Sequence, residues 1–286
     1  MTPWLVRAPD HLGDGLMARP CIQALAKLHP LHVVSPKWGS ALYPFEGISH
    51  HAPNAAPPSE LAILLKPSFG AAWRYRHYPR RIGIAYHHRA WLLSDALPIQ
   101  REHRIESYNR IARFLGAQPD RIPHFPTHHR PPPFDIVFVV GTASPQTVQY
   151  KRFSELVQAL TPHKSCLAVG GPGDEAILST LSKQIPTLPS TSSLQDVANH
   201  AAAAQWMIGL DSGLSHLATA ARHSAGHSSS KTLILYGSTD PEQTGPRPST
   251  PLLPPPLPCW PCYSKSCRIG TPCLEHPIED IVSRLL

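Results

Sequence analysis

The sequence has no long hydrophobic run, which predicts that the chain does not span a bilayer. Its apolar stretches, such as residues 136–140, fall far short of the roughly 20 residues that a membrane helix needs. The first residues have no basic region followed by an apolar stretch and a small-residue cleavage site, so no secretion signal is expected. No Gly-x-Gly-x-x-Gly stands between a first strand and helix, which disfavours a Rossmann dehydrogenase. We therefore expect a cytoplasmic protein of another class.

Runs of charge are also absent. The 286 residues carry a formal net charge of +7 and include 34 Pro and 18 His. Because Lys and Arg form no long run, the basic balance indicates only a mild attraction to anions such as nucleotides, phosphorylated lipids or nucleic acid. Prolines concentrate in loops such as residues 131–133 and 254–256, which we interpret as stiff connectors.

Short apolar strands alternate with helical spacing, first in one half of the chain and then again in the other. The first half has predicted strands at 4–7, 31–35, 61–65 and 82–85, a helix that follows the turn at 13–14, and a helix at 107–115. The second half has predicted strands at 135–140, 166–169, 205–210 and 232–236, and helices at 153–160, 175–181, 194–203, 214–221 and 278–286. Such alternation favours parallel sheets.

A polar segment rich in histidine and proline, residues 128–133, separates the two halves and suits a linker. The predicted lobes are residues 1–130 and 134–286, and the chain is long enough for each to bury its own core. The predicted fold class is α/β, with two Rossmann-like lobes whose parallel sheets face a central cleft.

The strongest local motif, at residues 209–218, lies where a buried strand ends and a helix begins. Free backbone N–H groups at a helix start, with the positive end of the helix dipole behind them, can hold a diphosphate, and Gly213 allows close approach. Asp211 or Ser212 could instead simply cap the helix. The motif alone leaves both interpretations open.

A matching strand-to-helix turn, residues 11–15, carries Asp14. A carboxylate at the crevice where parallel sheets place ligands could act as a general base on an attacking hydroxyl. For an arbitrary protein a capping role for this aspartate is the more common one.

Several segments together resemble glycosyltransferase family 9, the bacterial heptosyltransferases of the lipopolysaccharide inner core. The resemblance follows the family's order along nearly the whole chain, in residues 7–14, 68–69, 80–83, 151–153, 170–175, 211–217 and 236–241. It implies the two-lobed GT-B fold, with an acceptor-binding N-terminal lobe and a nucleotide-sugar-binding C-terminal lobe. It also implies an inverting, metal-independent transfer in which Asp14 is the catalytic base.

The resemblance further implies a donor site in the second lobe. Lys151 would contact phosphate, Glu175 or Asp174 the ribose, and Asp211 the donor sugar, while the backbone at residues 212–214 would offset charge on the leaving diphosphate. The family's short phosphate loop is replaced here by a longer segment with hydroxyl candidates. The full predicted donor set is Thr142, Ser144, Thr147, Lys151, Asp174, Glu175, Asp211, Ser212, Gly213, Leu214 and His216.

Basic residues of the first lobe are candidates for an anionic acceptor. They lie in segments where the family collects positive charge, although any one of them taken alone is more commonly just a surface residue. The predicted acceptor contacts are Lys37, Lys66, Arg80, Arg81 and Arg89.

The cysteine-rich tail, residues 259–273, has the spacing C-x2-C-x4-C-x5-C. Four thiolates at this spacing could hold a structural zinc ion, and reduced buried cysteines are the alternative. No metal or other cofactor is expected to be required for the reaction. The candidate ligands are Cys259, Cys262, Cys267 and Cys273.

The main hypothesis is heptose transfer from ADP-heptose to the lipopolysaccharide inner core, at the inner face of the cytoplasmic membrane. One alternative is a family 9 transferase that uses another nucleotide sugar. The other is a non-catalytic zinc-binding scaffold or nucleic-acid-binding protein, for which the interleaved aromatic and basic residues 73–76 offer modest support. The expected partners are a nucleotide-sugar donor and a lipid-linked saccharide, and no nucleic acid.

Overall fold

The computed structural model describes residues 2–142, 149–264 and 266–285. The chain divides into two compact units, Met1–Pro123 and His124–Leu286. Within the described residues, no helix combines the length and the apolar character needed to cross a membrane.

The first unit is built on a six-stranded sheet. Its strands are β1 (Trp4–Arg7), β2 (Leu31–Val34), β3 (Ile48–His51), β4 (Leu61–Leu64), β5 (Arg80–Ile84) and β6 (Asp95–Leu97). Its helices are α1 (Leu12–Leu28), α2 (Gly39–Leu42), α3 (Phe69–Arg74) and α4 (Arg104–Phe114), with a 3₁₀ turn at Ala90–Leu92. The strand order is β3-β2-β1-β4-β5-β6, and all five pairings are parallel.

The second unit is built on a five-stranded sheet. Its strands are β7 (Ile136–Val139), β8 (Cys166–Val169), β9 (Trp206–Leu210), β10 (Thr232–Leu235) and β11 (Thr250–Leu252). Its helices are α5 (Phe153–Leu160), α6 (Glu175–Leu181), α7 (Leu194–Ala203), α8 (Gly213–Ser224), α9 (Pro241–Thr244) and α10 (Ile278–Val282), with 3₁₀ turns at Ser229–Lys231 and Pro272–Leu274. The order is β11-β10-β9-β7-β8, again with parallel pairings.

Each unit buries its own core. The strands β4, β7, β8 and β10 are buried at every position, as expected for parallel strands covered on both faces. In the second unit Phe153, Leu156, Val157 and Leu160 of α5 pack into the core together with residues of α10. The α/β prediction with two parallel sheets is confirmed.

The strand orders decide where ligands can bind. In a doubly wound sheet the crevice forms at the carboxyl ends of the two strands where the chain changes direction across the sheet. In the first unit these strands are β1 and β4, and in the second they are β7 and β9. The loops after β1, β4, β7 and β9 are therefore the expected site loops.

The structure places the division between the units a few residues before the predicted linker. The Phe125 amide donates to Ser224 Oγ at 3.0 Å, and the His128 amide donates to Asn199 Oδ1 at 3.3 Å. The His124 ring also lies 4.7 Å from that of His223. These contacts fix residues 124–128 to helices α7 and α8 of the second unit.

Candidate active site

Asp14 lies in the first turn of α1, directly after β1 and therefore at the switch point of the first sheet. Tyr43 Oη donates to the carbonyl of Gly15 at 2.9 Å, which fixes this turn. A side chain at position 15 would collide with Trp38, because an added Cβ would lie 2.6 Å from that ring. The glycine therefore allows α1 to approach α2 closely.

Helix α4 supplies two groups that surround the Asp14 carboxylate. Tyr108 Oη lies 3.5 Å from Asp14 Oδ1 and donates to it, and Arg104 stands one turn earlier on the same helix. Burial raises the pKa of Asp14, while Arg104, His11 and the Tyr108 hydroxyl act in the opposite direction. A raised pKa makes the ionised carboxylate a stronger proton acceptor, which suits a general base.

Asp10, in the same loop, joins the two switch-point loops. Its carboxylate pairs with Arg7 at the end of β1 and with Lys66, which follows β4. Burial alone would raise the pKa of Asp10, but the hydrogen bonds from Lys66 and Arg7 outweigh it and lower the pKa. Lys66, a predicted acceptor contact, is thus held beside the loop that carries Asp14.

The other predicted acceptor residues are dispersed. Lys37 is exposed and follows β2, so it lies at the carboxyl ends of the strands, as Asp14 does. Arg80 and Arg81 stand at the start of β5 and therefore at the amino ends of the strands, away from Asp14. There Arg80 pairs with Asp95, and Arg81 donates to backbone carbonyls.

Arg89 is buried, and the structure gives it a structural role. Its guanidinium donates to the carbonyls of Ile84, Lys66 and Leu64, at 2.8, 2.6 and 3.2 Å. Burial lowers its pKa to about 10. The side chain therefore ties the ends of β4 and β5 together, which the sequence pattern did not predict.

In the second unit, Asp174 links the loops after β7 and β8. Its carboxylate accepts from the amides of Gly171 at 2.7 Å and Thr142 at 3.4 Å. An added Cβ at Gly141 would lie 2.1 Å from Asp174 Oδ2, so only glycine admits the carboxylate. Asp174 thus orders the loop that carries Thr142, while the predicted donor residues Ser144 and Thr147 lie outside the described residues.

Glu175 is exposed at the start of α6. Its carboxylate accepts from the Gly173 amide at 3.0 Å and from Ser190 Oγ at 2.9 Å. Hydrogen bonds from its own amide, the Gly173 amide and Ser190 lower its pKa and keep the group ionised. A shallow groove lies beside it, lined partly by Ser179 and Leu188.

The loop after β9 leads into α8 and forms the second half of this site. Ser212 caps the helix, since its Oγ accepts from the Ser215 amide at 3.4 Å. The first-turn amides of Gly213 and Leu214 have no acceptor inside the helix by geometry, so they are suited to an anion. Leu214 also packs near Gly171, which brings the loops after β8 and β9 together. Asp211 is half-buried, whereas His216 is buried.

Lys151 is exposed in the turn before α5. The preceding Tyr150 is buried, and its hydroxyl donates to the carbonyl of His276 at 2.9 Å. The His276 ring in turn lies 2.9 Å from the Tyr236 carbonyl, at the end of β10. This buried chain, which the sequence did not predict, fixes the backbone next to Lys151.

The cysteine tail does not assemble a metal centre among the described residues. No group of three or more His, Cys, Asp or Glu side chains there could hold a metal ion. Cys259, Cys262 and Cys267 are exposed, and amides of residues 269–271 donate to Cys267 and lower its pKa. Zinc binding by the four cysteines of the tail stays a prediction.

Two doubly wound parallel sheets, with Asp14 at the switch point of the first and the loops after β7 and β9 at that of the second, are the sheets of the architecture called GT-B. The fold matches solved structures over nearly its whole length. The ADP-heptose LPS heptosyltransferase II of E. coli is 19% identical, with a TM-score of 0.70 over 99% of this chain and 98% of that one. A family 9 glycosyl transferase of Veillonella parvula is 16% identical, with a TM-score of 0.74 over 99% and 96%. The E. coli heptosyltransferase WaaC, solved with ADP, is 15% identical, with a TM-score of 0.70 over 99% and 100%.

The chain belongs to glycosyltransferase family 9, the heptosyltransferase family, whose model matches residues 59–271. It is therefore a glycosyltransferase, and the alternative of a non-catalytic scaffold is not retained. The matched range includes the described donor-site loops and begins after the loop that carries Asp14. No curated protein sequence matches the chain at a significant level.

Proposed function

We propose that this glycosyltransferase moves a heptose from ADP-heptose to the inner core of lipopolysaccharide, with inversion at the anomeric carbon. The observation that carries the proposal is the half-buried Asp14 carboxylate at the switch point of the first sheet, in a chain of this family. The donor assignment is supported by the E. coli neighbours, which include an ADP-heptose LPS heptosyltransferase and a heptosyltransferase solved with ADP.

In the proposed reaction Asp14 accepts the proton of an acceptor hydroxyl. The hydroxyl oxygen attacks the anomeric carbon as the bond from that carbon to the diphosphate oxygen breaks, and ADP leaves with the electron pair. The carboxylic acid then returns its proton to solvent. One displacement inverts the configuration and needs only one carboxylate, because the leaving diphosphate requires charge stabilisation and no protonation.

The second unit supplies the proposed donor contacts. The amides at Ser212, Gly213 and Leu214 and the dipole of α8 stabilise the developing charge on the diphosphate, and Lys151 adds a positive charge. Glu175 accepts hydrogen bonds from the ribose hydroxyls. Asp211 accepts hydrogen bonds from the donor sugar. Thr142, Ser144, Thr147 and His216 complete the proposed donor set, with Asp174 ordering the loop backbone.

The experiment is a donor screen with purified protein and heptose-deficient lipopolysaccharide as acceptor, with nucleoside diphosphate release as the readout. We expect acceptor-dependent ADP release from ADP-heptose. If the protein consumes a different nucleotide sugar and not ADP-heptose, the assigned donor is wrong, but the protein is still a glycosyltransferase. No release from any donor by folded protein would contradict the proposal.

A further inference from the structure

The outer face of α3 carries aromatic side chains where a surface helix normally carries polar ones. The helix buries the small residues Ala71 and Ala72 and leaves Phe69 and Trp73 exposed, at 41% and 47%. Because these two positions are four residues apart, they lie on one face of the helix. The large apolar side chains thus point to solvent, the reverse of an ordinary amphipathic helix.

A third exposed aromatic completes a cluster. Trp91, in the 3₁₀ turn after β5, is 67% exposed. The three ring centroids form a triangle, with Phe69 and Trp73 6.3 Å apart, Phe69 and Trp91 6.1 Å, and Trp73 and Trp91 6.4 Å. We call Phe69, Trp73 and Trp91 the aromatic cluster. A contiguous exposed patch of this kind marks an interaction surface.

The surroundings of the aromatic cluster are basic. The Arg76 guanidinium lies 4.3 Å from the Trp73 ring centroid, and the exposed Arg74 follows Trp73 directly. In the described structure neither arginine forms an ion pair with a carboxylate. Residues 66–91 as a whole contain six Lys and Arg and no Asp or Glu.

This combination fits an anionic bilayer surface. Tryptophan rings favour the boundary between lipid headgroups and acyl chains, and each Lys or Arg near an anionic leaflet adds attraction. A second copy of the chain docked on the same face would bring Arg74 and Arg76 of both copies together, which opposes self-association. The cluster also begins three residues after Lys66, which pairs with Asp10 in the loop that carries Asp14.

We propose that the aromatic cluster, with Arg74 and Arg76, is a membrane-docking surface that holds this enzyme on an anionic bilayer. Docking there would keep the loops around Asp14 next to acceptors embedded in the membrane. The surface does not depend on which sugar is transferred, so it extends beyond the proposed function.

The test is sedimentation of the purified protein with vesicles, without donor or acceptor. Vesicles of phosphatidylcholine with about a third phosphatidylglycerol are compared with vesicles of phosphatidylcholine alone. We expect W73S/W91S to lower the partition coefficient on the anionic vesicles roughly fivefold or more. R74Q/R76Q should lower it too and reduce its dependence on salt. Phe114→Ser, which removes a 52% exposed aromatic outside the cluster, should leave it unchanged.

Three results would overturn the proposal. The first is wild-type protein that does not bind anionic vesicles, or W73S/W91S protein that binds them equally well. The second is a wild-type dimer in sedimentation velocity that W73S/W91S disperses, since it would assign the surface to a second copy. The third is loss of transfer by W73S/W91S to a lipid-free core saccharide, since it would place the aromatics in the saccharide site. Vesicle binding is measured without donor or acceptor, so the sedimentation result can be interpreted even if the proposed reaction is wrong.

Discussion

Arg222 shows how much a single buried side chain holds together in this fold. Its guanidinium donates to Thr232 Oγ1 at 2.9 Å, to the carbonyls of Ala201 and Ala204 at 2.8 Å, to Gln205 at 3.0 Å and to Lys231 at 3.1 Å. These acceptors lie at the end of α7 and at the starts of β9 and β10. All five N–H groups of the guanidinium are therefore used.

We expect Arg222→Lys to lower the free energy of unfolding by about 3 kcal/mol, because a lysine cannot supply five donors in one plane and leaves buried carbonyls unsatisfied. Urea unfolding followed by circular dichroism measures the change. Arg247→Lys is the control, because Arg247 forms an exposed ion pair with Glu242 and the change there should be within about 0.5 kcal/mol. Equal losses in both variants would contradict the role given to Arg222.

The charges around Asp14 determine how the transfer rate should depend on pH. Transfer should fall as the pH drops through the pKa of Asp14, because the protonated acid cannot accept a proton. Burial raises that pKa and Arg104 lowers it. Removing the positive charge in Arg104→Gln should therefore move the acid limb of kcat/KM to higher pH.

The matched control is Arg113→Gln on the same helix. Arg113 pairs with Glu106 and is not among the charges that act on Asp14. Its acid limb should coincide with that of the wild type. If the acid limb of the kcat/KM profile moves to lower pH in Arg104→Gln, or moves equally in both variants, Asp14 is not the titrating base.

At the scale of elements, the apolar strands are predictable from the sequence, and the short or polar strands at three of the four sheet edges are not. β1, β2, β4, β7, β8, β9 and β10 are short apolar runs between turn signals, and the sequence places each of them, while the strand predicted at 82–85 overlaps β5. β3, β6 and β11 lie at sheet edges and are short or polar, as in the sequence Ile48-Ser49-His50-His51, so their pattern gives no strand signal. Helices α2, α3 and α9 have only four to six residues each, too few to show a helical period, and the sequence does not predict them.

The residues of the candidate site also fall into those that the sequence predicts and those that it does not. Asp14 and the donor loops stand at strand-to-helix turns, where the local pattern allows either a helix cap or a ligand site, and the ordered resemblance to the family favours the ligand site. Arg104 and Tyr108 contact the Asp14 environment from a helix that is distant in sequence, so only the folded chain brings them together. The only available signal was their spacing of four residues, which places both on one face of α4.

The contact between Gly141 and Asp174 predicts a donor-binding defect. An alanine at position 141 would push away the Asp174 carboxylate, which orders the amides of Gly171 and Thr142. We expect Gly141→Ala to weaken ADP binding by roughly tenfold or more, measured by isothermal titration calorimetry. Gly70→Ala, where an added Cβ meets nothing within 4 Å, should bind ADP as the wild type does. Unchanged ADP affinity in Gly141→Ala would show that Asp174 does not contribute to donor binding.

At the scale of the whole molecule, the proposed transfer requires no metal. Treatment with EDTA should leave ADP release unchanged, because the leaving diphosphate is stabilised by backbone amides and Lys151 in the proposed reaction. Zinc on the cysteine tail stays a sequence prediction, and elemental analysis of the purified protein tests it. Four-fold substitution of Cys259, Cys262, Cys267 and Cys273 by serine should remove any zinc that is found. Loss of transfer on chelation, restored by added metal, would contradict the metal-free mechanism.

The central claim is that Asp14 is the base of a glycosyl transfer whose donor site lies in the second unit. The most direct test is a pair of measurements on Asp14→Asn: single-turnover transfer from ADP-heptose to heptose-deficient lipopolysaccharide, and ADP affinity by calorimetry. We expect a transfer rate lower by roughly 10²- to 10⁴-fold than that of the wild type, with ADP affinity unchanged. Transfer at the wild-type rate would contradict the claim.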